Sequence, residues 1–563
     1  MGLLLVFTVG IITQIWSRSL PPHPATKEIP GSQLIPPSAL AVVSVTTNPR
    51  QWRQLKQSLS ADTFLPVQQA LLQFHNTLLK PLGLGYESHI RSWIGAMATL
   101  VVLPMPKTHS FPSMGGVDGQ TGDIVLILPI IHRQQAEETF RRTLMEPGGW
   151  TTHRYNGILV YDPLDRVPQP GNRGRLPSYS LASLWVGQNH FLVLANHSSL
   201  IHQVIDTQLG VTSLHSRPAY QQSIGQLNHS YPEPFAQVYL NIPALALILA
   251  REMGLYPPGE RINLPQTEGL LLGLNLMPDG VGIKGLSWLK QPQKDWSPGN
   301  STVGTIATRL PANTLFMFRG SNFTRLWQLY ANSRIFRLLG WLEPRKIHQT
   351  IETFLGMSLE ENLFPWLQDE FCLAIVPNSQ IGKGSPESSH FSSPFSASLV
   401  LMAKVRSRTI AEQVLHRVDH QMNQRYKLRL SIEEQPNGTV TRWFSPSGEV
   451  RATRSWLDDT TAVLSVGAPI SLINLYEKTD QTQPGLYQNW LQEREPSHIS
   501  LFIDCHQLLF GDAVPFMKLP PKHEGFWSSI QSIEGRMTIA HPTHTIYEGL
   551  VRLTKNNGIQ APS

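Results

Sequence analysis

The sequence predicts an α+β protein with two tandem homologous lobes, mainly antiparallel sheets and packed helices, preceded by an N-terminal membrane-anchor helix. Three observations carry this prediction: an internal repeat, short β-branched segments joined by turn sequences, and one apolar run at the N-terminus. With 563 residues, the chain is also too long for one ordinary hydrophobic core. Several domains are therefore expected.

Segments of the first half recur in the same order in the second half. "LPANTLFMFRGSNFTRLWQLY" (310–330) follows the pattern of "IPPSALAVVSVTTNPRQWRQL" (35–55) at an offset of 275 residues. "GMSLEENLFPWLQ" (356–368) follows "GLGYESHIRSWIG" (83–95) at an offset of 273 residues. Eight such matches in register indicate a gene duplication. The residues that mark the repeat are Trp52, Trp327, Glu87, Glu360, Trp93 and Trp366.

The repeat and the composition of the connecting segments set the predicted domain boundaries. They are 1–17 for a signal anchor or transmembrane segment, 18–34 for a Pro/Ser-rich tether, 35–292 for the first α+β lobe, 293–308 for a linker, 309–555 for the second α+β lobe and 556–563 for a C-terminal tail.

Each lobe reads as the same series of elements. A short strand is followed by a helix that contains the first Trp, two further strands, a second helix, more strands and a final hairpin. In the first lobe "PDG" (278–280) is the turn signal of that hairpin. Short turns between neighbouring strands favour antiparallel sheets with packed helices.

Residues 2–16, "GLLLVFTVGIITQIW", form the apolar run. As a helix they extend roughly 22 Å, against about 30 Å for the hydrocarbon core of a bilayer. No convincing small-x-small cleavage site follows, which favours an uncleaved signal anchor in the lipid bilayer. A basic segment before the run is missing, so we expect the true start to lie upstream; with Met1 as the start, orientation is ambiguous. A buried N-terminal strand or helix is the alternative.

The charge distribution argues against a nucleic-acid partner. The formal charge is +6 and the pI about 9.2, but lysines and arginines are scattered and make no basic stripe with interleaved aromatic residues. The mild basicity fits a solvated surface near anionic lipid.

Two cysteines limit the metal and disulfide chemistry of the chain. Cys372 and Cys505 lie in apolar, strand-like contexts, which favours two buried thiols. A single long-range disulfide is the alternative for an exported protein. A disulfide framework or a cysteine-based metal site needs more cysteines.

Two segments resemble a known family. "PPSALAVVSVTTNPRQW" and "GLGYESHIRSWIG" are similar to segments of membrane-anchored bacterial proteins, mostly cyanobacterial, that are catalogued as a domain of unknown function. The resemblance covers roughly residues 35–555. It implies an N-terminal anchor and a non-cytoplasmic body, and it brings no activity, cofactor or catalytic residue.

The helix "AEQVLHRVDHQM" contains the candidate metal ligands His416 and His420, four residues apart. The pattern H-x-x-D-H is close to the inverted zinc-protease signature, which has Glu where Asp419 stands. The apolar stripe Val414, Leu415, Val418 and Met422 places both histidines at the flank or solvent side of the helix. We therefore expect no metal and no cofactor here.

Two further patterns have structural interpretations. Ser287 to Lys290 match S-x-x-K, but the segment is strand-like and the partner motifs S-D-N and K-T-G do not follow. Glu87 and Glu360 suit general acid/base chemistry by residue type. Apolar residues at i, i+4, i+7 and i+8 around each acid instead predict a helix with the acid in its first turn, where it favours the helix dipole.

These observations lead to one functional hypothesis and one rival. The first is a membrane-tethered extracytoplasmic protein, in the periplasm or the thylakoid lumen, that acts as a non-enzymatic binding or scaffolding factor. An envelope or thylakoid protein is the expected partner. The rival is a hydrolase whose site is assembled between the two lobes from residues distant in sequence, which leaves no local motif.

Overall fold

A computed structural model of the chain describes most of the sequence from residue 28 onward, in two compact units. The first unit comprises Met1–Gln293 with Thr543–Ile546 and Thr554–Ser563, and the second comprises Lys294–Pro542 with Tyr547–Leu553. The described residues are 28–59, 84–104, 123–143, 150–163, 180–210, 212–230, 233–252, 266–292, 306–332, 344–377, 397–435, 438–467, 486–487, 490, 497–514 and 527–554.

Among its described residues the first unit has ten strands and five α-helices. The strands are β1 (Ala41–Thr46), β2 (Met97–Val102), β3 (Ile124–Ile130), β4 (Trp150–Tyr155), β5 (Ile158–Pro163), β6 (Ser180–Val186), β7 (Asn189–Ala195), β8 (Ala236–Asn241), β9 (Thr267–Met277) and β10 (Gly280–Leu289). The helices are α1 (Pro49–Ser58), α2 (Arg133–Thr143), α3 (Ser198–Leu209), α4 (Pro218–Ser230) and α5 (Ile242–Glu252).

The second part of the chain provides a corresponding set of ten strands and five α-helices among its described residues. The strands are β11 (Phe316–Ser321), β12 (Glu370–Pro377), β13 (Ala397–Lys404), β14 (Arg429–Gln435), β15 (Gly438–Phe444), β16 (Val450–Trp456), β17 (Thr461–Gly467), β18 (Ile499–Asp504), β19 (Ile530–His541) and β20 (His544–Leu553). The helices are α6 (Phe323–Asn332), α7 (Pro344–Leu355), α8 (Leu359–Asn362), α9 (Arg408–Tyr426) and α10 (Cys505–Phe510).

The two sets of strands pair in the same spatial order. The first set runs β4-β5-β6-β7-β3-β2-β1-β8-β9-β10, with antiparallel registers throughout. The second set runs β14-β15-β16-β17-β13-β12-β11-β18-β19-β20. The predicted mixture of helices with mainly antiparallel sheet is confirmed, and every strand of one set has a counterpart in the other.

The first strand of each set lies in the interior of its sheet because it pairs on both edges. In β1, Val43 is opposite Leu100 on one side and Val238 on the other. All six residues of β1 are buried. A strand covered on both faces reads as a continuous apolar run rather than as an alternation, which matches "AVVSV".

Helix α1 shows how local sequence fixes the element after β1. The Asn48 side chain caps the helix by accepting from the Arg50 N–H at 3.0 Å, and Pro49 occupies the first turn. Trp52 is buried on the inner face and donates from Nε1 to the Thr46 carbonyl oxygen at 2.8 Å. The Trp thus ties the helix to the strand that precedes it.

The segments around Glu87 and Glu360 differ from the single predicted helix. In the first unit Tyr86–Ile90 is a π-helical turn, followed by turn structure through Trp93. In the second unit α8 is followed by a 3₁₀ turn at Phe364–Trp366. Pro365 has no N–H to donate and fits only the start of such a turn, so the α-helical bonding ends before it.

Three other expectations have clear outcomes. The hairpin turn at Pro278–Asp279 is confirmed, because Met277 pairs with Gly280 across it. Ser287 lies in strand β10, as the strand-like interpretation predicts. Both cysteines are buried free thiols.

The predicted anchor, residues 2–16, lies outside the described residues. From residue 28 onward, none of the helices within the described ranges has the length and apolar character that a membrane span requires.

Candidate functional site

Helix α9 carries the polar surface that forms the candidate site. The Ser407 side chain caps its first turn by accepting from the Ile410 N–H at 3.4 Å, and the helix ends at Lys427, which has the left-handed φ of 55°. The predicted stripe of Val414, Leu415, Val418 and Met422 is buried. His416, Arg417 and His420 are exposed on the other face, as helical phase predicts.

A buried ion pair fixes α9 to the sheet. Arg454 on β16 donates from Nη2 to Asp419 Oδ2 at 2.6 Å and from Nε to Oδ1 at 3.2 Å. Trp443 on β15 donates from Nε1 to the same Asp419 Oδ1 at 2.8 Å. Arg454 is 6% exposed and Asp419 is also 6% exposed, so both charges are removed from water. Such a pair holds only when its remaining hydrogen-bonding groups are satisfied, and here three donors reach one carboxylate.

Glu412 extends this network by two turns of α9. Its Oε2 lies 3.3 Å from Nη1 of Arg454, and its Oε1 accepts from Nε1 of Trp456. Two acids on one helix therefore bind one arginine of the sheet. This arrangement sets the rotation of α9 and keeps its polar residues on the outer surface.

The corner between α7 and α8 forms the opposite wall of the site. Gly356 ends α7 with a φ of +67°, and its N–H donates to the Glu352 carbonyl oxygen at 2.7 Å. A Cβ at this position would lie 3.0 Å from Oε1 of Gln421 on α9. Arg425 of α9 also donates to the Thr353 carbonyl oxygen at 2.6 Å. Glycine thus permits the tight turn and the close approach of α9.

We call the depression between these two walls the α9 groove. Its volume is about 430 Å³, within the range of ligand sites. It is open to solvent, and imidazole, guanidinium and amide groups dominate its rim. The lining residues are Gly356, Met357, Asn362, His416, Arg417, His420 and Gln421.

Among the described residues, the three side chains that converge closely enough to hold a metal ion do not include the sequence candidates His416 and His420. The three are His348, Glu352 and Glu360, whose donor atoms all lie within 4.8 Å of one another. Nε2 of His348 lies 2.7 Å from Glu360 Oε1, and Nδ1 of His348 lies 3.3 Å from Glu352 Oε2. We call these three residues the α7–α8 cluster. The only sequence signal for this cluster is the spacing of His348 and Glu352, four residues apart on one helix. For Glu360 the sequence predicts only an interaction with the helix dipole.

The repeat markers occupy matching places in the two sets of elements. Trp52 on α1 and Trp327 on α6 each follow the first strand, and Trp327 lies 5.8 Å from His348 between ring centroids. Glu87 is exposed and pairs with Arg91 at 2.6 Å. Trp93 is fully buried. The backbone of Trp366 lies in the 3₁₀ turn before β12, and its side chain is outside the described part of the chain.

The first unit contains a row of hydrogen-bonded polar side chains that the sequence did not predict. His153 on β4 faces Asp162 of β5, with Nδ1 to Oδ2 at 3.0 Å, and Ser180 donates to the same carboxylate. The Nε2 atoms of His153 and His202 are 3.0 Å apart, and the ring centroids are 5.3 Å apart. These values place the two nitrogens head-on, which is the geometry of one N–H···N hydrogen bond. These hydrogen bonds therefore connect helix α3 to the hairpin formed by β4 and β5.

The buried thiols are not available as nucleophiles. Burial raises the pKa of the Cys505 thiol to about 12, and burial also raises the pKa of Cys372. Only a thiolate attacks or binds metal well.

The family of the chain follows from a comparison with family models. The model described as "Protein of unknown function (DUF3352)" matches residues 1–554. The chain belongs to this family. This confirms the expected assignment to a domain of unknown function.

Solved structures give only a distant similarity. Crystal form III of TP0453 is 9% identical, with 47% of this chain and 82% of that chain covered and a TM-score of 0.23. Crystal form I of TP0453 is 10% identical, with 50% and 83% covered and a TM-score of 0.23. At this TM-score neither structure carries an argument about fold or function. No curated protein matches the chain.

Proposed function

We propose that the protein is a membrane-tethered, extracytoplasmic binding or scaffolding factor, and that the α9 groove receives an acidic segment of a partner protein. The apolar run 2–16 and the Pro/Ser-rich composition of 18–27 support the tethering. The end of the predicted tether is wrong, because Ile29 and Leu34 are fully buried in the hydrophobic core of the first unit. We further propose that the two units are copies of one ancestral unit. The shared order of ten strands and the eight aligned segments support this duplication.

The observation that carries the binding proposal is the chemistry of the groove rim. Arg417 lies between His416 and His420 along α9, and Gln421 and Asn362 add amide groups. The acids of the same helix, Glu412 and Asp419, point inward to Arg454. Both carboxylates also lie near His416, at 3.9 Å and 3.7 Å, whereas Arg417 and His420 are exposed on the outer side of the helix. A carboxylate-bearing partner complements that outer side.

Rigidity supports the same conclusion. The buried ion pair holds α9, and Gly356 and Arg425 hold the α7–α8 corner against it. Both walls are therefore positioned before a partner arrives, which lowers the entropy lost on binding.

Charge reversal in the groove tests the partner proposal. A photo-crosslinking amino acid at Gln421 of the full chain should capture one partner in native membranes. Arg417→Glu should lower the yield of that product about tenfold, equivalent to about 1.4 kcal/mol. Arg429→Glu, which reverses an exposed charge on β14 outside the groove, should leave the yield unchanged. Equal yields from the two variants would contradict a role for the groove.

Location has a separate test. A reporter that is active only outside the cytoplasm, fused to the C-terminus of the full chain, should give signal. The same fusion without residues 2–16 should lose it, because no apolar segment then directs export. A silent full-length fusion, or equal signal from both, would refute the tethered extracytoplasmic location while leaving the groove proposal to its own test.

A further inference from the structure

We propose that the α7–α8 cluster, His348, Glu352 and Glu360, is a binding site for a divalent transition-metal ion, with Zn²⁺ preferred. The proposal does not depend on the function proposed for the α9 groove. It concerns side chains of α7 and α8 in the second unit and rests on their geometry and on a comparison with the first unit.

The three side chains are close enough for rotation of the imidazole and of Glu360 to complete a metal site. His348 and Glu352 are four residues apart on α7, so they lie on one face of the helix. A tetrahedral ion with bonds of about 2.0–2.2 Å separates its ligand atoms by roughly 3.3–3.6 Å. One donor atom from each of the three residues lies within 4.8 Å of the others, and Nε2 of His348 lies 2.7 Å from Glu360. The 3.3 Å distance to Glu352 is measured from the other ring nitrogen, Nδ1, so the imidazole has to rotate for one ion to meet all three residues. Glu360 is 54% exposed at its side chain, and beyond His348 its carboxylate accepts only a long hydrogen bond from Ser358 Oγ at 3.5 Å, which a rotation would break.

One carboxylate of the cluster is already oriented by the backbone. Oε1 of Glu352 accepts from the Leu359 N–H at 3.0 Å, at the start of α8. Its other oxygen, Oε2, faces His348. Hydrogen bonds of this kind to a ligand residue fix its orientation and strengthen metal binding.

The first unit shows what the cluster replaces. There the acid at the same repeat position, Glu87, forms an ion pair with Arg91 one turn later. At the offset of 273 residues, the second half has Phe364 in place of Arg91 and Glu352 in place of Leu79. At these positions the second half has one arginine fewer and one carboxylate more than the first half. A divalent cation balances two adjacent carboxylates, as one imidazole alone does not.

The donor set selects the class of ion. The imidazole nitrogen suits borderline ions such as Zn²⁺, and the two carboxylate oxygens accept both Zn²⁺ and the harder Mn²⁺, whereas Ca²⁺ and Mg²⁺ prefer oxygen alone and Cu⁺ prefers sulfur. The Irving–Williams order places Zn²⁺ above Mn²⁺ in affinity. Three protein ligands leave one tetrahedral position for water or another external donor.

Calorimetric titration of ZnCl₂ into the full chain, purified without a histidine tag, tests the site. The natural protein should bind Zn²⁺, and His348→Ala, Glu352→Gln and Glu360→Gln should each weaken that event about tenfold or more. Glu87→Gln is the matched control, since it removes the corresponding acid of the first unit, and it should leave binding unchanged. The double variant His416→Ala/His420→Ala measures how much of the Zn²⁺ binding comes from the histidines of the α9 groove.

A local spectroscopic signal gives a second readout. Trp327 lies 5.8 Å from His348 between ring centroids, so Co²⁺ bound at the cluster should quench its fluorescence. Trp327→Phe and Glu360→Gln should both reduce the Co²⁺-dependent quenching, and Glu87→Gln should not. Circular dichroism confirms that each variant is folded, and Glu360→Gln decides the question if His348→Ala does not fold.

Three results would overturn the proposal: no Zn²⁺ binding by the natural protein, equal binding by Glu360→Gln and Glu87→Gln, or full binding by His348→Ala. Loss of stability in Glu360→Gln together with any of these would assign the cluster as an ion pair that joins α7 to α8.

Discussion

Replacing Arg454 by methionine is expected to lower the free energy of unfolding by about 3–5 kcal/mol. Methionine fills similar space but leaves the carboxylate of Asp419, which is 6% exposed, without its cationic partner. Uncompensated buried charge is the costly outcome of breaking such a pair, whereas replacing both members is often tolerated. A urea unfolding series of the full chain, followed by circular dichroism, measures the loss.

A double variant and a surface control identify the cause. Arg454→Met/Asp419→Asn removes both charges and keeps an acceptor for Nε1 of Trp443, so it should be more stable than Arg454→Met alone. Arg451→Met, on the same strand, removes an exposed arginine that pairs with Glu449, and it should cost about 1 kcal/mol or less. If the double variant loses the sum of what Arg454→Met and Asp419→Asn lose separately, the two charges are not coupled.

The ion pair of Arg454 also matters for function, because it positions helix α9. Asp419 and Glu412 hold α9 through Arg454, and His416, Arg417 and His420 are exposed on the same helix. Loss of the ion pair should therefore weaken partner capture at the groove even though Arg454 does not line it.

Much of the local structure follows from sequence period alone. The stripe of Val414, Leu415, Val418 and Met422 predicted the buried face of α9, and the exposure of both histidines followed from it. The turn at Pro278–Asp279 followed from residue type. These features depend on neighbours within a few residues, which is the range that periodicity describes.

The candidate sites were harder to predict from the sequence, because the residues that contact each other there are distant in sequence. The buried ion pair of Asp419 depends on Arg454, 35 residues later in the chain, and no local pattern links the two. Glu360 meets His348 across a separation of 12 residues and a helix corner that depends on the left-handed Gly356. The pairing of β1 with β8, which brings Ala41 opposite Leu240, is likewise invisible to a local pattern. Only tertiary structure combines these residues.

The second large effect is expected for Trp93→Ala, which should lower the free energy of unfolding by about 3–5 kcal/mol. Trp93 is fully buried, and its ring lies 5.8 Å from that of Phe140 on α2 between centroids. Its Nε1 donates to the His89 carbonyl oxygen, and its own carbonyl oxygen accepts from the Ile131 N–H at 2.8 Å. Truncation leaves a cavity where the π-helical turn meets the end of β3, and the His89 carbonyl oxygen keeps only its hydrogen bond from Thr139 Oγ1.

Trp185→Ala is the matched control because it removes the same residue type from the same unit at a site that is 46% exposed. Trp185 stacks on His190 and lies under Arg133, so its loss should cost about 1 kcal/mol. Calorimetry of the full chain should show a lower unfolding temperature for Trp93→Ala than for Trp185→Ala. Similar temperatures for the two variants would show that the repeat marker Trp93 is not a core residue. A large difference would support the structural interpretation of "GLGYESHIRSWIG", in which the tryptophan packs the core and Glu87 remains a surface ion pair.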